Sequence, residues 1–64
     1  MKYIIDKTST KKSYMQLYEF LRADIVAGIY PFGTKLPSKR LLSEECGISV
    51  VTAEHSLSLL FDEG

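Results

Sequence analysis

Lys35, Lys39 and Arg40 lie in one short run, residues 35–40, that also holds Ser38 and no acidic residue. Cations and hydroxyls gathered so closely suit the binding of an anion, above all a phosphate oxygen. Ser49 and Thr52 add two more hydroxyls downstream, and His55 adds an imidazole that can donate a hydrogen bond. A charge run alone is more often a solvated face than a site, so the argument turns on what holds these residues. Other chemistry is poorly supplied. His55 is the single histidine and Cys46 the single cysteine, and they lie too far apart for two ligands on one helical turn. Glu44 and Glu45 read as a solvated helix edge, and Cys46 as a small core residue. No nucleophile has a base beside it, so enzyme activity, a metal and a cofactor are not expected.

The residues around this run specify its scaffold. Pro31 and Gly33 break any preceding helix, and Pro37 can stand only before or at the first turn of the next. Ser38 is placed to cap that helix, which runs to about Cys46, and Gly47 can supply the left-handed residue that ends it. Ser49 can cap a further helix from Val50 to about Asp62. Leu42 and Cys46 then share a buried face, Ile48 fills the corner, and Ala53, Ser56, Leu57 and Leu60 line one side of the last helix. Two short helices joined by a glycine-containing turn form the helix-turn-helix pattern, whose second helix enters a DNA major groove.

Upstream, Leu17, Leu21 and Ile25 recur every fourth residue, which predicts an amphipathic helix ended by Gly28. Ser13 and Gln16 match a capping box at its start. Tyr14 and Tyr18 read as core or rim residues. Residues 1–12 read as a loose arm: Tyr3, Ile4 and Ile5 can form a short strand, but the lysine-rich remainder has no core-forming period. The expected fold class is all-α, a three-helix helix-turn-helix core spanning residues 13–64 after the arm.

At 64 residues the chain is at most one small domain. Its formal net charge is zero, which argues against a general nucleic-acid coat, but the positive charge collects at the arm and at residues 35–40. Residues 41–64 carry Glu44, Glu45, Glu54, Asp62 and Glu63 and no lysine or arginine. A lone cysteine excludes an internal disulfide, and no apolar run reaches the roughly 18 residues of a membrane span. A cytoplasmic protein with no membrane partner is the expectation.

The run from Leu17 to Gly64 resembles the N-terminal DNA-binding domain of the GntR family of bacterial transcription regulators. The stretch from Gly28 to Arg40, with its GTKLPSKR segment, carries most of the likeness, which covers about three quarters of the chain. The resemblance implies a winged helix-turn-helix that binds palindromic operators as a homodimer, with any effector held by a separate domain. The wing hairpin of that fold would begin where this sequence ends, at Gly64, so the core is expected to be truncated before it. Leu57, Leu60 and Phe61 would then lose cover on one side.

Two positions depart from the family pattern. The family has DNA-contacting arginines near the start of the third helix, where this chain has Val50 and Glu54; only Arg40 keeps a basic contact of that set. Affinity should be lower for the loss of those arginines. Glu54 can instead accept from a cytosine amino group, and Val50 or Val51 can pack on a thymine methyl. The expected DNA-contacting set is therefore Lys35, Ser38, Lys39, Arg40, Ser49, Val50, Val51, Thr52, Glu54 and His55. The rival reading keeps the scaffold but uses the acidic third helix, with Val50, Leu59 or Phe61, to bind another protein chain.

Overall fold

The computed structural model describes residues 3–30 and 36–63. Its elements are α1 (Ser13–Val26), α2 (Lys39–Cys46) and α3 (Val50–Glu63), and no strand occurs among the described residues. The all-α, three-helix core is as the spacing predicts. The breakers Pro31 and Gly33 lie outside the described residues, as does Gly64.

The helix ends follow local chemistry. Gly28 adopts φ +84°, the Ile29 N–H donates to the Asp24 carbonyl at 2.9 Å and the Gly28 N–H to Ile25 at 3.1 Å. That paired arrangement around a left-handed glycine closes α1. Ser38 Oγ accepts the Leu41 N–H at 3.2 Å at the start of α2, and Gly47, at φ +68°, ends it. Ser43 Oγ donates to the Ile48 carbonyl at 2.5 Å, which ties the turn to the helix before it. Ser49 Oγ then accepts the Thr52 N–H at 3.1 Å and opens α3.

Helix α3 is the shared partner: α1 and α2 each pack on it, and among the described residues not on one another. Leu17 and Leu21 of α1, Leu42 and Cys46 of α2, and Ala53 and Leu60 of α3 are buried together. Leu57 and Ile48 are half-buried against them. Ser56 is the one buried polar side chain among the described residues, and its Oγ donates to the Tyr14 carbonyl of α1 at 2.7 Å. Ile25 departs from the predicted stripe and is 39% exposed, because the core of so short a bundle ends a turn before α1 does. Leu60 keeps its cover, whereas Phe61 is 70% exposed.

The arm is not loose. Tyr3 and Ile5 are buried in the core while Ile4 between them faces out, a period-two pattern without strand pairing. The Tyr3 ring stacks on Phe20 with centroids 5.5 Å apart. Its hydroxyl donates to the Asp24 carboxylate and lies 3.1 Å from the Tyr30 hydroxyl. Burial, with these partners, pushes the Tyr3 phenol far above its ordinary range.

The capping box also gives way to the arm. Lys12 takes the N-cap position, and no side chain caps α1. Gln16 instead donates to the carbonyls of Asp6 and Lys11 at 2.9 and 2.8 Å and accepts the Asp6 N–H at 2.8 Å. The folded-back chain offers this one amide three backbone partners, against one in a capping box. Lys7 then reaches the Gly47 carbonyl at 2.7 Å, so a cation sits at the C-terminal end of α2.

Tyr3→Ala should therefore cost about 3 kcal/mol, the scale of a buried aromatic truncation, and leave little of so small a fold. Tyr3→Phe should cost about 1 kcal/mol, one hydrogen-bond set. Urea unfolding followed by circular dichroism measures both; a Tyr3→Ala midpoint equal to wild type would mean the arm is not part of the core.

Candidate nucleic-acid interface

The side of α3 turned away from α1 and α2 is a continuous exposed face. At about 100° per residue, Val50, Phe61, Glu54, Ser58, Val51, Asp62 and His55 fall in that order within an arc of about 140°. All seven are exposed. Ser49 and Thr52 sit at the helix start, where their hydroxyl oxygens are 2.8 Å apart. Their oxygens face the helix end, with Ser49 serving the cap and Thr52 partly buried.

The first turn of α2 lies beside this face. Ser38, Lys39 and Arg40 are all exposed, and no acidic residue occupies that turn. Two cations at the positive end of a helix dipole are mutually unfavourable, and an anion placed there relieves both. The Arg40 guanidinium makes no ion pair among the described residues. Lys35 lies outside the described residues.

Lys39 has a partner. Its Nζ lies 2.6 Å from Glu54 Oε2, joining the start of α2 to the middle of the α3 face. Both side chains remain about half exposed, so the pair adds little to stability. Its hydrogen bond and charge hold the Glu54 carboxyl below the usual range. The face of α3 thus carries an ionised carboxylate near its centre and no lysine or arginine of its own.

His55 is placed by α1: its ring stacks on Tyr14 with centroids 4.0 Å apart and 12° between planes. The Ser56–Tyr14 hydrogen bond fixes the same α1–α3 contact one residue along. The structure thus brings nine of the ten expected contact residues to two adjoining surfaces. It adds what spacing did not reveal, the Lys39–Glu54 pair and the Tyr14–His55 stack, which join residues far apart in sequence. Lys7 is a further residue that sequence reading left in a loose arm.

Among the described residues no three His, Cys, Asp or Glu side chains could hold a metal ion. Burial pushes the Cys46 thiol up, which suits a core residue rather than a nucleophile. No helix among the described residues is long and apolar enough to cross a membrane.

Comparison with known proteins gives the surface a context. The profile of the bacterial regulatory proteins of the gntR family matches residues 13–64. The chain is 36% identical over 61 residues to the probable rhizopine catabolism regulatory protein MocR of Rhizobium meliloti, covering 95% of this chain and 12% of that protein. It is 42% identical over 53 residues to the uncharacterized HTH-type transcriptional regulator YdcR of Escherichia coli, 83% of this chain and 11% of that protein. It is 35% identical over 49 residues to the Uxu operon regulator of Haemophilus influenzae, 77% of this chain and 18% of that protein. The chain thus spans only a small part of the length of these relatives. No solved structure gives a significant match.

The Lys39–Glu54 pair sets a titration. A folded-state pKa below the unfolded one makes the pair's contribution present above the unfolded value and lost as pH falls through the folded one. Acid should therefore open the pair. Carbon-detected NMR should show Glu54 titrating below ordinary glutamates, and Lys39→Met should move it upward; an unmoved value would mean that Lys39 is not its partner.

Proposed function

The chain belongs to the GntR family of bacterial regulatory proteins, and we propose that it forms the DNA-binding part of a sequence-specific transcription regulator. In this reading α3 enters the major groove of a double-stranded operator, and α2 crosses the phosphate backbone by its N-terminus. The exposed cationic first turn of α2 beside the open face of α3 is the observation that carries it.

The roles divide by chemistry. Arg40, Lys39, Ser38 and Lys35 serve phosphates around the start of α2, and Ser49, Thr52 and His55 those along α3. Val50 and Val51 meet thymine methyls, and Glu54 accepts from a cytosine amino group. The intact protein binds as a homodimer, and any effector binds outside these residues. The relatives that match are named as regulators of rhizopine catabolism and of the Uxu operon, and a comparable regulatory role is the proposal here.

One observation favours a second reading, in which α3 binds a protein chain. Val51 is 74% and Phe61 70% exposed, and the only lysine beside the face among the described residues is already paired. Exposed apolar residues around an acidic centre suit a protein partner better than a phosphate backbone.

Fluorescence anisotropy of the intact protein on the duplex upstream of its own gene, against a scrambled duplex at two salt concentrations, separates the two. The DNA reading expects preference for the first duplex and loss of affinity with salt. Arg40→Ala should weaken binding to both duplexes alike and lower the log–log salt slope by about 1. Negligible binding to both at low salt would overturn the DNA reading in favour of the protein partner.

A further inference from the structure

We propose that Glu54 and Lys39 form a specificity switch, in which the carboxylate withholds the lysine from phosphate until the amino group of a base facing α3 takes the lysine's place in that bond. The inference rests on the DNA-binding reading above and assigns to that surface a way of rejecting the wrong sequence.

Three facts on the structure support it. The pair is 2.6 Å long and spans the two surfaces that would divide the work, backbone contact at α2 and base contact at α3. Lys39 and Glu54 make no other side-chain hydrogen bond among the described residues, so each is the other's whole partner. Both are about half exposed, so either can be drawn away without unmaking the core. A surface ion pair is weak enough to be exchanged for a nucleic-acid contact yet strong enough to bias an equilibrium.

The consequence follows from charge balance. On a duplex that offers Glu54 nothing, a phosphate must compete with the carboxylate for Lys39, and the carboxylate itself repels the backbone. On a duplex that presents a cytosine amino group to Glu54, the carboxylate gains a new donor and Lys39 is released to a phosphate. Base identity is thereby converted into one additional backbone contact, so the correct sequence gains twice from a single match.

The test uses the intact protein, a mixed-sequence 30-base-pair duplex, and the best duplex that the wild type selects from a randomised pool. Wild type should show a salt slope steeper by about 1 on the selected duplex than on the mixed one, since about 0.9 counterion is released per phosphate engaged. Glu54→Gln should raise affinity for the mixed duplex about threefold to fivefold, abolish the difference in slope, and select sites that lack the fixed cytosine. Lys39→Gln should lower the slope on the selected duplex alone in the wild-type background, and on both duplexes once Glu54 is Gln. Both residues are exposed, and unchanged thermal melts show that the variants are folded.

Equal effects of Lys39→Gln on the two duplexes in the wild-type background would overturn the switch while leaving DNA binding intact. An unchanged mixed-duplex affinity in Glu54→Gln would do the same. Silence of every variant on both duplexes at low salt would instead sink the DNA reading and the switch with it.

Discussion

Everything in this protein depends on how closely α3 can be approached. Ala53 and Ser56 have no exposed surface, and α1 and α2 both lie on the side of α3 that carries them. A larger side chain at either position would hold a neighbouring helix off and empty the core of the contacts that a chain this short cannot replace. Ser56 adds direction to proximity: its buried hydroxyl donates to the Tyr14 carbonyl across the α1 contact at 2.7 Å, closer than the Thr52 carbonyl of its own helix at 3.3 Å. Because α1 and α2 meet only through α3, the angle between the two helices of the turn and the depth of α1 are set by the same few side chains. The opposite arc of α3 is left bare by construction.

That division of α3 explains why the candidate site is legible in the sequence as a place but not as an arrangement. Ser38, Gly47 and Ser49 announce where each helix begins and ends, because capping oxygens and left-handed glycines are local requirements. Leu42, Cys46, Ala53 and Leu60 announce the buried faces by their spacing. From those two signals the exposed arc follows, and with it most of the residues able to meet a ligand. The Lys39–Glu54 pair does not follow, since nothing local links a residue at the start of α2 to one in the middle of α3. Ion pairs of this kind are consequences of the packing angle.

The arm's place in the core is hidden from the sequence for a related reason. Tyr3 and Ile5 alternate with Ile4, a strand-like signal, yet so brief a run gives no means of telling a strand from an extended strap. The lysines and hydroxyls that follow suggested a solvated tail. Two of those lysines meet partners on other elements, Lys7 the Gly47 carbonyl and Lys11 the Glu19 carboxylate, while Gln16 of α1 clamps the arm's own peptide groups. The capping box was chemically available and lost to a better-satisfied alternative, because a side chain with several backbone partners gains more than one with a single orphan amide to serve. Local rules predict which groups need partners, and only the fold decides which partners arrive.

The same strap gives the turn between α2 and α3 a second anchor. Gly47 provides the left-handed residue on which the turn pivots, and its carbonyl accepts from Lys7. From Lys7 the chain leads back through Asp6, clamped by Gln16, and Ile5 and Tyr3, packed on α1. The turn is therefore held from two directions, by Ser43 and Ile48 within it and by the arm outside it. In the proposed DNA-binding reading the relative placement of the two helices must survive contact with a charged backbone, and preorganisation lowers the cost of binding. Lys7 spends its charge on a carbonyl at a helix C-terminus and thereby anchors the turn.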